Sequence, residues 1–169
     1  ALENLLVADE SEFYKSVDGI WFSQDGKTLV KYPCGRKTES YTIPDEVSCL
    51  GDFAFAYNES LKSVEIHNGV SQIKVDAFAY CTSLESIEIP ETVEKIQPYA
   101  FQNCLSLKRI AIPEGIKVIE RGTFEGCTKL EEVVFPHGLT EIGETAFEYC
   151  EAFEKIELPE SVTTIGMYA

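Results

Sequence analysis

The chain has 169 residues, enough for one ordinary domain, and its 44% hydrophobic content is typical of a packed protein. Its formal net charge of −15 argues against nucleic acid or an anionic membrane as a partner, because contacts to phosphate need clustered Lys and Arg. Apolar runs stay well below the roughly 18 residues of a membrane-spanning helix, so we expect no membrane insertion.

Residues 1–46 are predicted to form an N-terminal cap that ends in a partial repeat. Residues 17–22 and 28–32 favour strands, and residues 24–27 favour the hairpin turn between them. Trp21, Phe22 and Tyr32 make this the most aromatic part of the chain, suited to covering the first repeat. The chain begins without an initiator Met and ends inside a repeat, so we expect a piece of a longer protein.

From Val47 to the end, the sequence repeats every 23 residues without an insertion. We call the five complete units coils 1 to 5, and a sixth is cut short. They begin at Val47, Val70, Val93, Ile116, Leu139 and Val162. Such a constant period is typical of a solenoid, in which each unit buries its apolar side chains against its neighbours.

Each coil contains three predicted pieces. A Leu-x-x-Ile-x-Ile segment alternates inward and outward as a strand does, and a proline usually ends it. A Val-x-x-Ile segment is compatible with a second short strand. The Ala-Phe-x-x-Cys piece has helical spacing and predicts one turn of α- or 3₁₀-helix. Its aromatic position forms a structural column through the coils: Phe55, Phe78, Phe101, Phe124 and Phe147.

A second column is cysteine, and we interpret it as structural. Its members are Cys81, Cys104, Cys127 and Cys150, with Asn58 in coil 1. Side chains stacked about 4.8 Å apart fit a disulfide poorly, and four thiols in a line cannot surround a zinc ion. We therefore expect small buried hydrophobic side chains, with Asn58 bonding loop backbone. A disulfide between Cys34 and Cys49, near the cap junction, is left open.

The sequence offers no catalytic or metal-binding constellation, and we predict neither an enzyme, a cofactor nor a metal site. The two histidines, His67 and His137, occupy turn positions three coils apart, about 14 Å at the usual strand spacing. That separation is too great for one metal or a catalytic pair. Glycine-rich phosphate loops and the common hydrolase motifs are missing from the sequence.

The outward positions of the longer strand are the candidate binding surface. Its charges mostly alternate between coils, which supports register on a solvated face. One column differs because Ala111 and Val134 leave an apolar dip among carboxylates, and we predict a contact surface for an extended partner there. Scattered surface apolar residues are the alternative. The predicted partner-binding residues are Glu65, Glu88, Arg109, Ala111, Glu132, Val134 and Glu157.

Three tyrosines share one position of the turn segment. Tyr57, Tyr80 and Tyr149 are predicted either to close the edge of the coils or to form an aromatic surface for protein or carbohydrate. Closing the coil edge is the interpretation we favour.

The unit Val-x-x-Ile-Gly-x-x-Ala-Phe-x-x-Cys-x-x-Leu-x-x-Ile-x-Ile-Pro resembles the BspA-like class of leucine-rich repeats. Residues 17–32 are similar to the hairpin that often opens such arrays, and the resemblance covers about residues 17–169. It implies a β-rich α/β solenoid: a right-handed array of 23-residue coils over residues 47–169, with short parallel strands and the hairpin cap, in one continuous domain. The departures from the pattern are Asn58, His67, Thr123 and Phe153.

The resemblance also implies bacterial proteins that are secreted or displayed on the cell surface, several of them proposed adhesins for host matrix proteins. The family has no shared catalytic motif. We expect a non-enzymatic module that binds a protein partner through its longer strands. A structural spacer or stalk is the alternative, and glycan binding through the tyrosines is third. The oligomeric state is left open.

Overall fold

A computed structural model of the chain describes residues 2–8 and 10–169; Ala1 and Asp9 of the predicted cap lie outside it. The described residues form fourteen short β-strands and no helix. The strands are β1 (Tyr14–Val17), β2 (Ile20–Ser23), β3 (Thr28–Lys31), β4 (Ser40–Thr42), β5 (Cys49–Leu50), β6 (Ser63–Glu65), β7 (Gln72–Ile73), β8 (Ser86–Glu88), β9 (Lys95–Ile96), β10 (Arg109–Ala111), β11 (Val118–Ile119), β12 (Glu132–Val134), β13 (Glu141–Ile142) and β14 (Thr164–Ile165).

The 23-residue period becomes a β-solenoid of about six turns. Strands of successive coils pair in parallel with a constant shift of one period, as in Ser63↔Ser86 and Leu50↔Ile73. We call the exposed side of β4, β6, β8, β10 and β12 the sheet face. The other coil strands form a second ladder, β5-β7-β9 and then β11-β13-β14. Among the described strands, no ladder joins β8 to β10 or β9 to β11.

The N-terminal strands pair antiparallel, in the order β1-β2-β3, and β3 then pairs in parallel with β5. The prediction of one strand over 17–22 is wrong, because the chain reverses at Asp18 and Gly19. Both residues have positive φ, 49° and 71°, which is the backbone of a tight Asp-Gly hairpin turn. Protection of coil 1 by these strands stays a prediction.

The core is a set of columns that run the length of the solenoid. The phenylalanine rings stack from coil to coil: Phe55–Phe78, Phe78–Phe101, Phe101–Phe124 and Phe124–Phe147 have centroids 4.9, 5.3, 5.6 and 5.4 Å apart. The first four of these rings are completely buried. Ala54, Ala77, Ala100 and Ala146 beside them are also buried, since only small side chains leave room between stacked turns.

The segment expected to be a helical turn is instead a series of β-turns, so the α component of the predicted α/β class is wrong. In coil 2, Ala79 N–H donates to the Asp76 carbonyl and Cys81 N–H to the Phe78 carbonyl. Asp76 and Tyr80 have φ of 54° and 60°, which a right-handed helix cannot accommodate. Alternate amides therefore turn outward and donate to the next coil, as Phe78 N–H does to the Ala100 carbonyl at 2.8 Å.

Candidate interaction surface

The seven predicted partner-binding residues are all exposed on the sheet face or at its end. Strand register places Glu65 beside Glu88, and Ala111 beside Val134. Arg109 and Glu132 are likewise register partners, whereas Glu157 lies in the part of coil 5 after β13, residues 143–161, where no strand forms within the described chain. The period-two alternation of the strands produces this arrangement, because it sends the central residue of each strand inward and its two neighbours outward.

Two charge pairs form across stacked coils on this face. Lys62 Nζ lies 2.8 Å from Glu39 Oε1, and Arg109 Nε lies 3.3 Å from Glu132 Oε2. All four side chains are well exposed, so solvent screens both pairs and they serve mainly to support register.

The sheet face has an acidic half and a more apolar half. The acidic half comprises β4, β6 and β8, where Thr42 Oγ1 donates to Glu65 at 3.0 Å and Glu88 follows in register. The apolar half is the β10-β12 pair, where Val134 is 41% exposed beside Ala111. The break between β8 and β10 separates the halves, so a partner crossing this face passes from carboxylates to an apolar strip.

The cysteine column is built from thiols that donate to backbone; Cys81, Cys104 and Cys127 are buried and Cys150 is partly buried. Cys81 Sγ donates to the Phe55 carbonyl at 3.2 Å, and the same bond recurs one period later for Cys104, Cys127 and Cys150. Burial raises the pKa of the Cys81 thiol to about 12, so it stays protonated and unreactive. Cys34 and Cys49 are free thiols.

Asn58 is the first member of this column, and its side-chain amide forms more hydrogen bonds to the backbone than a thiol could. Its Oδ1 accepts from the amides of Ser60 and Leu61, each at 2.9 Å, and its Nδ2 donates to the Pro33 carbonyl at 3.3 Å. The side chain is fully buried and connects coil 1 to the N-terminal segment. Its role is structural, as the sequence suggested, and it offers no chemistry to a ligand.

The two histidines make separate local contacts. His67 bonds to the Pro44 carbonyl at 3.0 Å, and His137 Nδ1 lies 2.9 Å from Glu114 Oε1. That hydrogen bond lowers the pKa of the Glu114 carboxyl. In the part of the chain that the structure describes, no three His, Cys, Asp or Glu side chains are close enough together to hold a metal ion.

Tyr57 and Tyr80 stack at the edge of the turn segment, with centroids 5.0 Å apart and planes within 10°. Their position, like that of Tyr149, has positive φ. Asn103 and Gly126 occupy the same position in coils 3 and 4 with φ of 55° and 72°, because Asn and Gly tolerate this backbone best. Tyr57 and Tyr80 therefore form a short stack, and Tyr149 is not part of it.

Sequence reasoning missed an opening on the sheet face between coils 4 and 5. Ile156 and Leu158 occupy inward positions of the repeat but are 43% and 38% exposed, whereas Ile110 and Ile112 are almost completely buried. The repeat pattern departs nearby at Phe153, which replaces the Leu of every other coil. Its ring packs edge-on against Phe147, with centroids 5.9 Å apart.

Comparison with known proteins places these features in context. A family model described as the BspA type leucine-rich repeat region matches six copies over residues 48–169. Curated proteins include no match to this chain. Within residues 2–8 and 10–169, no helix is long and apolar enough to cross a membrane.

Three solved structures are similar. A leucine-rich repeat protein from Eubacterium ventriosum is 27% identical, with a TM-score of 0.78 over 98% of this chain and 51% of its own. A leucine-rich cell surface protein from Faecalibacterium prausnitzii is 32% identical, with a TM-score of 0.79 over 94% of this chain and 40% of its own. The pneumococcal vaccine antigen PcpA, 23% identical, shares the fold with a TM-score of 0.63 over 98% of this chain and 45% of its own. This chain spans about half the length of these proteins, or less.

Proposed function

The chain belongs to the BspA-type leucine-rich repeat family, and we propose that it is a non-enzymatic module that binds a protein partner through its sheet face. We further propose that the parent protein is bacterial and either secreted or displayed on the cell surface. A relative that is 32% identical is a cell surface protein of Faecalibacterium prausnitzii, which supports this location.

One observation carries the proposal: an exposed apolar strip interrupts an otherwise charged sheet face. Ala111 and Val134 lie side by side in register, flanked by the Arg109–Glu132 pair and by the carboxylates of Glu65 and Glu88. Apolar contact area within a polar rim is the arrangement that protein interfaces use. Glu157 lies at the far end of the same column and extends the acidic rim.

The test is a binding screen against immobilised extracellular matrix proteins and bacterial cell-wall sugars. Wild-type protein is compared with Ala111→Arg, which places a long cation on the apolar strip. The matched control is Leu105→Arg, since Leu105 is an exposed apolar residue outside the sheet face. We expect capture of a protein, weakened about tenfold by Ala111→Arg and unchanged by Leu105→Arg, with equal melting temperatures for all three.

The other outcomes separate the alternatives. Equal capture by Ala111→Arg and wild type would contradict binding through the sheet face. Absence of any ligand would favour a spacer. If the chain binds a sugar and Tyr80→Ala abolishes that binding, the binding surface is the stacked tyrosines Tyr57 and Tyr80 instead of the sheet face.

A further inference from the structure

Coil 5 contacts coil 4 through the turn segment and through the second ladder, but the two coils separate on the sheet face. On the turn side, Gly126 N–H donates to the Glu148 carbonyl at 2.7 Å. In the second ladder, Val118 of coil 4 pairs with Glu141 of coil 5 in register. On the sheet face, residues 155–158 lie away from coil 4. This local separation opens a groove of about 570 Å³.

The wall of this groove is an unpaired strand edge. At the preceding junction, Ile112 N–H donates to the Val134 carbonyl at 2.9 Å. The equivalent bond one period later, from Phe135 N–H to the Glu157 carbonyl, does not form among the described residues. β12 therefore presents backbone donors and acceptors that another strand could satisfy.

The floor of the groove is apolar, with side chains at alternate positions. Val133 and Phe135 come from coil 4, and Phe153, Ile156 and Leu158 from coil 5. The junction between coils 2 and 3 also lacks a ladder, but Ile110 and Ile112 remain buried there. An open groove thus needs the splayed coil 5 as well as the missing ladder.

We propose that this groove binds an extended, basic segment of a protein partner, which adds a strand to the open edge of β12. Backbone pairing would supply the affinity, and the partner's alternate apolar side chains would enter the groove between Phe135 and Ile156. The inference rests on the proposed function, since it takes the ligand to be a protein.

The charges around the groove favour a basic segment. Glu131, Glu132 and Glu157 line it, and Glu132 is paired with Arg109 and Glu157 with Lys155, which leaves the carboxylate of Glu131 for a cationic side chain of the partner. The whole chain carries a net charge of −15, which favours approach of a cationic partner and disfavours an acidic one. Direct pairing with a second copy of this acidic chain is disfavoured for the same reason.

The probe is a capped seven-residue peptide in which lysine alternates with valine, labelled for fluorescence anisotropy. We expect saturable binding to the full 169-residue chain, weakened by added salt. Ile156→Lys should weaken it about tenfold, because it removes an apolar contact and repels the peptide. Ile165→Lys, a change of the same type at an exposed residue of β14, should leave binding unchanged.

A second probe tests strand addition without altering the protein. The same peptide with alternate backbone amides N-methylated cannot donate to a strand edge, so we expect its binding to fall about tenfold or more. Equal binding of both peptides, or equal binding by wild type and Ile156→Lys, would overturn the inference. If the wild-type chain forms a dimer that Ile156→Lys dissociates, the groove binds a second copy of this chain, and that result would also overturn the inference.

The two proposals fail separately. If the peptide does not bind but Ala111→Arg still weakens capture of a matrix protein, the groove assignment is wrong and the sheet-face function stands. If the peptide binds as expected while the screen captures no protein, the sheet-face function loses its support.

Discussion

The rings of Phe78 and Phe101 lie face to face, with centroids 5.3 Å apart and planes within 2° of parallel. They come from residues 23 positions apart, and both are completely buried. Each coil therefore completes the core of its neighbours, and an isolated coil would leave both faces of its phenylalanine in water.

Phe101→Ala should lower the free energy of unfolding by about 4 kcal/mol, because it removes one ring from the middle of the stack and leaves a cavity. Phe101→Leu retains most of the volume and should cost markedly less. Urea denaturation followed by circular dichroism measures both. A cost below about 1 kcal/mol for the alanine variant would contradict a continuous packed column.

Asn58→Ala should destabilise the protein by about 3 kcal/mol, since it leaves the amides of Ser60 and Leu61 and the Pro33 carbonyl without their buried partner. Asn68→Ala is the control, because Asn68 is exposed and is not among the residues with positive φ. We expect a clearly smaller cost there in the same denaturation assay. Equal costs would show that the Asn58 hydrogen bonds contribute little.

Stability should fall as the pH rises above about 9. Burial raises the pKa of the Cys81 and Cys150 thiols from 9.0 to about 12, and it also raises the pKa of Cys104. Above pH 9 the thiols of the unfolded chain ionise while the native thiols stay protonated, so protons are lost on unfolding and the unfolded state is favoured. The stabilisation is complete below that pH and is lost progressively towards pH 12.

Urea midpoints measured at increasing alkaline pH check this dependence. Replacing Cys81 by alanine removes one titrating thiol, so the variant's midpoint should decline less steeply than that of wild type. Identical slopes for the two proteins would contradict the assignment to buried thiols.

Gly126→Ala should cost about 1–2 kcal/mol, because its φ of 72° belongs to the left-handed region and a Cβ there would meet the Asn103 side chain. Gly115→Ala is the matched control: the nearest atom to its Cβ would be the Val93 carbonyl oxygen at 4.0 Å. Thermal unfolding of both variants gives the comparison. If the two variants melt at the same temperature, the positive φ of this column is not a constraint.

The sequence predicts much of this fold because a constant period fixes which residues stack. The neighbours of Phe78 in space are read directly from a shift of 23 residues, and so is the pairing of Arg109 with Glu132. Membership of the leucine-rich repeat family is confirmed by the match over residues 48–169.

Backbone conformation was harder to predict from the sequence than the register of the strands. The spacing of Ala-Phe-x-x-Cys matches a helical turn, but spacing alone does not reveal positive φ at Asp76 and Tyr80. Glycine and asparagine at Gly126 and Asn103 were the available signal, because these residues favour that conformation. Asp18 and Gly19 gave a similar signal for the unrecognised hairpin turn.

The groove beside coil 5 was not predictable from the repeat pattern. Ile156 and Leu158 match the inward positions, so the pattern alone buries them. Their exposure is a property of how the coils stack in three dimensions, which the spacing of apolar residues does not report.

Carboxylate footprinting of the partner complex tests the central claim most directly. Exposed glutamates are labelled with a carbodiimide and an amine, with and without the captured partner. We predict protection of Glu65 and Glu88 on the sheet face, with unchanged labelling of Glu59 and Glu151, which are exposed outside it. Unchanged labelling of Glu65 and Glu88 together with protection of Glu59 and Glu151 would contradict recognition through the sheet face.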